Sequence, residues 1–168
     1  MNHMMKKIAI STMAIAMAGL MTASNAYADD TVKPLAPVAG EVLYGYSMDD
    51  SDGQKKHNGI DILYEGTTFI STPISGEVVI SGPDSMGDYV VITDTEKGDS
   101  ILISNLRASF VKEGDKLKAG DEIGVADGDY IHVTYYPEGF MHRDVTTDPT
   151  AFLTMNGTKL TFDKERNK

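Results

Sequence analysis

After its first 28 residues, this chain never keeps apolar side chains on a helical period for three turns. Short runs of β-branched and aromatic residues are instead broken at close intervals by Gly, Pro and Asp clusters, which is the spacing of an all-β domain. Strands are expected at Val42 to Tyr46, Ile60 to Leu63, Glu77 to Ser81, Tyr89 to Thr93, Ser100 to Leu106, Glu122 to Ala126 and Ile131 to Tyr136. The one helical turn expected lies near Thr150 to Leu153, just after Asp148-Pro149. The fold class is thus all-β, a compact antiparallel sheet domain with few or no helices.

The segment from Val111 to Gly124 carries two Gly-Asp turns, Gly114-Asp115 and Gly120-Asp121, each a few residues ahead of an expected strand. Glycine enters positive φ without steric cost, so these read as hairpin punctuation. Biotin- and lipoyl-carrier domains have a similar pattern, but the lysine they present at a tight turn has no counterpart here.

Residues 1–28 read as an address. Lys6 and Lys7 precede an apolar run from Ile8 to about Leu20, and Ala26-Tyr27-Ala28 supplies a small-x-small cleavage site, so a secretory signal peptide is expected to leave before Asp29. An uncleaved anchor is the alternative, although the run is short of the roughly 20 apolar residues that span a bilayer. Export then places the protein in the periplasm or outside the cell, with no membrane span after cleavage. A loose lead-in (29–36), one domain (37–155) and a fraying mixed-charge tail (156–168) follow. The chain has no cysteine, so its core must hold without disulfides. Its formal net charge is −10, and loss of Lys6 and Lys7 with a signal that has no acidic residue makes it −12. Nucleic acid is excluded as a partner, because its binding rests on clustered Lys and Arg.

The mature chain has three histidines, and one of them stands in His57-Asn-Gly-Ile-Asp61. In an extended strand these two positions lie about 13 Å apart, too far to share an ion. Asn58-Gly59 is a strong turn signal, however, and a bend there brings imidazole and carboxylate together. Taken alone, the pattern also fits an exposed histidine beside a turn. His132, in a strand-like alternation that points Tyr130, His132 and Thr134 to one face, supplies a third candidate ligand. Two histidines, a carboxylate and one open position form a recurring catalytic zinc arrangement. His142 lies in a later loop and reads as a surface histidine.

The order of these pieces resembles the LytM/lysostaphin-type zinc metalloendopeptidases, which cut peptide cross-bridges in bacterial cell wall. The resemblance runs from about Pro37 to Leu153 through Pro37-Val-Ala-Gly40, Tyr44-Gly45, His57-Asn-Gly-Ile-Asp61, Gly76-Glu-Val78, Gly87-Asp-Tyr-Val-Val-Ile92, Val111-Lys-Glu-Gly-Asp115 and Asp148-Pro149. It implies the family's compact β fold, the duplicated hybrid motif, and a Zn2+ site on His57, Asp61 and His132. It also implies two departures. The family's two non-ligand catalytic histidines fall on Tyr130 and Asn105, and the Glu that commonly follows the last ligand by two positions is Thr134. The run from Gly124 to His132 is shorter than the family's Gly- and Thr-rich loop.

Amide hydrolysis needs a proton delivered to the leaving amine and a stabilised oxyanion. An amide side chain donates a hydrogen bond but carries no proton, and phenols titrate near about 10, so neither replaces a histidine base at neutral pH. Losing positioned acid-base help costs about 10²- to 10⁴-fold. The expectation is a metal-competent module that is inactive or weakly active and binds a peptidoglycan stem or cross-bridge peptide, or a wall-hydrolase partner protein. An active zinc endopeptidase and a purely structural envelope part with a zinc staple are the alternatives.

Overall fold

The computed structural model describes residues 35–48 and 56–154, and the backbone of 155 and 158–159. The expected signal peptide and most of the lead-in and tail lie outside these residues. Seven strands form one antiparallel sheet: β1 (Glu41–Tyr44), β2 (Ile60–Leu63), β4 (Gly76–Pro83), β5 (Asp88–Thr93), β6 (Ser100–Leu106), β8 (Lys116–Leu117) and β10 (Tyr130–Tyr136). Their order across the sheet is β1-β2-β10-β6-β5-β4-β8. A second, three-stranded sheet has the order β3-β9-β7, with β3 at Thr68–Ser71, β7 at Ala108–Ser109 and β9 at Glu122–Ala126. The last pair, β11 (Thr154–Met155) and β12 (Thr158–Lys159), is antiparallel, and Leu35 forms a parallel bridge to Thr154.

Period-2 alternation decides which residues go inside. Ile60 and Ile62 of β2, Ile131 and Val133 of β10, Ile101 and Ile103 of β6, and Val90 and Ile92 of β5 all enter one buried cluster. Ile70 of β3, and Ile123 and Ala126 of β9, enter the same cluster, so the two sheets share a core. Each of these Ile and Val side chains contributes about 1.5–3 kcal/mol of burial. The intervening residues of the large sheet point the other way. Val91, Tyr136 and Phe140 make a smaller cluster on that outer face, and Asp61 and His132 lie opposite one another in the β2/β10 ladder.

The seven expected strands are all present, with ends moved by up to two residues. Two expectations need correction. The Gly-Asp turns take positive φ, at +88° for Gly114 and +94° for Gly120. They do not close a hairpin: β8 pairs with β4 in the large sheet, while β9 pairs with β3 and β7. The segment is therefore a crossover between sheets. The turn after Asp148 is a 3-10 helix at Pro149–Ala151, earlier than expected because the Asp148 side chain accepts from Thr150 N and Pro149 takes the first helical position.

Candidate metal centre

His57 precedes the bend and Asp61 sits on β2. Ser47 and His57 form an isolated bridge through both backbone hydrogen bonds, at 2.9 and 2.6 Å, which fixes the chain just ahead of the bend. The turn at Asn58-Gly59 then folds His57 back over Asp61, and His57 Nε2 lies 3.3 Å from Asp61 Oδ1 instead of a strand's length away. Gly59 is required by more than the turn. A Cβ there would stand 2.2 Å from the Val133 carbonyl and 2.8 Å from His132 Cε1, so β10 and its histidine ring occupy the space a side chain needs.

His132 completes the cluster across the β2/β10 ladder. Its Nδ1 lies 2.7 Å from Asp61 Oδ1 and 3.2 Å from His57 Nε2. One ligand atom from each of the three residues falls within 4.8 Å of the others. A tetrahedral ion with bonds of about 2.0–2.1 Å separates its ligand atoms by about 3.3 Å, and two of the three edges match that value. The third edge, at 2.7 Å, is a hydrogen bond. The donor set is also suited to zinc, with two imidazole nitrogens and a carboxylate oxygen. Orientation comes from behind: His57 Nδ1–H donates to the Gly45 carbonyl at 2.8 Å, which leaves Nε2 facing the cluster, a lone pair when the ring is neutral and a donor to Asp61 when it is protonated. His132 Nε2 is 2.9 Å from the Thr134 hydroxyl.

The charges answer to this packing. The hydrogen bond with Asp61 lifts the pKa of His57 above the ordinary imidazole range, against the opposing effect of burial. Burial acts to raise Asp61, but hydrogen bonds from His132 and His57 prevail and hold its carboxyl below the usual carboxylate range. Asp61 is only 7% exposed, so its charge depends on these two neighbours.

Asn105 and Tyr130 line one open groove with Met86, Gly87, Arg107 and Asp127 to Asp129. Asn105 has φ +64°. It sits where β6 spends three steps, Ile103 to Leu106, against two on β5, Val90 to Asp88. That extra residue is a β-bulge, and asparagine tolerates the left-handed conformation it imposes. Tyr130, half-buried, opens β10 opposite Leu63. The groove wall is braced by Arg107 Nη1 to Asp127 Oδ2 at 3.2 Å and by Thr67 Oγ1 donating to Asp127 Oδ1 at 2.6 Å. His142 is exposed on the loop beyond Tyr136, at the opposite end of β10 from Tyr130. The Gly45 carbonyl and the Thr134 contact were not foreseen from the sequence. The Thr134 contact had a signal, since the alternation already placed His132 and Thr134 on one face.

Among solved structures, a chain of the SpoIIQ–SpoIIIAH pore-forming complex shares the fold at TM-score 0.61 and 21% identity, over 72% of this chain and 90% of that one. Csd3 of Helicobacter pylori matches at TM-score 0.62 and 20% identity, over 80% of this chain and 38% of that one. Lysostaphin, the antimicrobial peptidase of Staphylococcus simulans, matches at TM-score 0.57 and 21% identity, over 72% and 54%. The chain thus spans about half of lysostaphin and about two fifths of Csd3. No curated protein sequence matches it. Among the described residues, no helix is long and apolar enough to cross a membrane. Residues 55–136, from just before the His57 bend to the end of β10, match the model of peptidase family M23, a zinc-dependent family. With that match on the stretch that holds all three clustered side chains, and with lysostaphin sharing the fold around it, the chain belongs to peptidase family M23, as a LytM/lysostaphin-type member.

Proposed function

We propose that this chain is an exported module of the cell envelope, periplasmic or secreted, that holds zinc on His57, Asp61 and His132. In the adjoining groove it binds a peptidoglycan stem or cross-bridge peptide, or a wall-hydrolase partner protein, with little or no hydrolysis. The M23-type domain in this reading is 37–155, after a signal at 1–28 and a lead-in at 29–36, with 156–168 as its tail. The observation that carries it is the pair of side chains on the groove, an amide at Asn105 and a phenol at Tyr130, where the family resemblance places imidazoles.

Zinc, when bound, supplies a Lewis acid that polarises a carbonyl and acidifies water. Around it, Gly45 and Thr134 orient the two ligand rings, and Asp61 brings the negative charge. Asn105 and Tyr130 can hydrogen-bond a peptide, but neither passes a proton to a leaving amine at neutral pH. The deficit is about 10²- to 10⁴-fold in rate, or roughly 3–5 kcal/mol. The intact cluster favours a second reading, an active endopeptidase with Tyr130 donating to the oxyanion.

Purified sacculi separate the two. The expected result is co-sedimentation without release of soluble fragments. The double variant N105H/Y130H is expected to gain release by at least about 10²-fold. Histidine is, with asparagine, among the residues enriched at positive φ, so the bulge at 105 accommodates it. Release by the parent chain that disappears with H132A and with chelator would establish the endopeptidase instead.

A further inference from the structure

We propose that Thr134 is the positioning residue of the metal site, its hydroxyl holding the His132 ring with Nδ1 turned toward Asp61 and His57 in the metal-free and the metal-loaded protein alike. The inference rests on the zinc reading above and concerns a residue that touches neither ligand peptide nor metal.

Alternation along β10 puts His132, Thr134 and Tyr136 on one face. Thr134 is 1% exposed and its Oγ1 lies 2.9 Å from His132 Nε2. The proton inventory shows why a hydroxyl suits the place. Asp61 is a carboxylate and only accepts, so at 2.7 Å the metal-free His132 carries its proton on Nδ1. Nε2 is then an acceptor and takes the Thr134 O–H. A metal-ligating nitrogen must be unprotonated, so a metal held through Nδ1 would leave the ring proton on Nε2, which would donate to Thr134 Oγ1. A hydroxyl serves both states because it donates and accepts. An ionised carboxylate in its place would serve only the second. The ring is also confined by the backbone at Gly59, where a Cβ would stand 2.8 Å from Cε1 and 2.9 Å from Nε2. One steric wall and a hydrogen bond at each ring nitrogen therefore set the ring, and Thr134 supplies the one at Nε2.

The sequence of contacts from Asp61 through His132 to a hydroxyl also has the form of a nucleophile relay. Burial decides against that role, since a hydroxyl on a residue 1% exposed is out of reach of a substrate carbonyl. Orientation is what remains.

The test uses the full mature chain and two readouts. Zinc affinity is measured by competition with a chromophoric chelator, and the His132 ring nitrogens are followed by 15N NMR in the metal-free protein. T134V is expected to weaken zinc binding by about 10- to 100-fold and to shift the His132 Nε2 resonance, which loses its hydrogen-bond partner, while Asp61 keeps the proton on Nδ1. T134S is expected to keep both properties close to those of the parent. T134A serves as a second hydroxyl-free variant should T134V fail to fold. Parent-like zinc affinity and nitrogen shifts in T134V would overturn the proposal, as would T134S falling as far as T134V. A parent chain that takes up no zinc would overturn the metal reading alone, because the nitrogen shifts still judge Thr134.

Discussion

His57 and Asp61 shift one another in opposite senses, and that fixes how the metal-free protein responds to pH. Asp61, held below its unfolded value, contributes stability that is present above about pH 4 and lost as pH falls through its lower folded value. His57, raised in the fold, contributes stability that is full below about pH 6.5 and lost as pH rises through its higher folded value. Chelator-treated protein should therefore melt highest between about pH 4 and 6.5 and lose midpoint on both sides. D61N should remove the alkaline-side decline, since it takes away the partner that raises His57. A melting profile that stays level from well below pH 4 to well above about pH 6.5 would contradict the hydrogen-bonded cluster. The convergence of His57 with Asp61 was legible because Asn58-Gly59 is a turn with a known physical cause. The Gly45 carbonyl that fixes the His57 tautomer was not, because a backbone oxygen has no letter of its own in the sequence.

Single strands and turns carry the next layer. β2, β6 and β9 fall where alternation put them, residue for residue, because β-branched runs bounded by Gly, Asp or Ser leave little room for another register. β3 was missed: it is four residues long, with Phe69 exposed and only Ile70 fully buried, so it shows no clear inward face. β7 and β8, at two residues each, span a single period of the pattern, too little for the repeat that would announce them. At this scale Gly59 is the sharpest test. G59A is expected to cost about 1–3 kcal/mol, because the new methyl meets the Val133 carbonyl as well as the His132 ring, and to weaken zinc binding with it. G66A is the control, for it places a methyl in open space at a positive φ of +67° and should cost stability without touching zinc affinity. Equal loss of zinc binding in both variants would show that general destabilisation, not contact with the ring, is responsible.

At the level of the whole chain, the all-β class and one shared core followed from composition and periodicity, whereas the division into two sheets did not. Turn chemistry says that the chain reverses at Gly114 and Gly120, but not which partner strand the next residues meet. The three clustered side chains join His57, ahead of the bend, to β2 and β10, and so come together only when the native ladder has formed. Binding confined to the native state stabilises by mass action, by about 2.7 kcal/mol at a free zinc concentration of about 100 Kd. That corresponds to a rise in Tm of roughly 10 °C. H132A should show no such rise, and an unchanged midpoint for the parent at saturating zinc would argue against a native-state site.

In the strand order, β2 and β10 are interior neighbours, with β1 shielding one flank and β6 the other. Fraying at either margin of the sheet leaves them joined. Asp61 and His132 thus part company only when the middle of the molecule comes undone, so the pocket keeps its shape for as long as the protein stays folded.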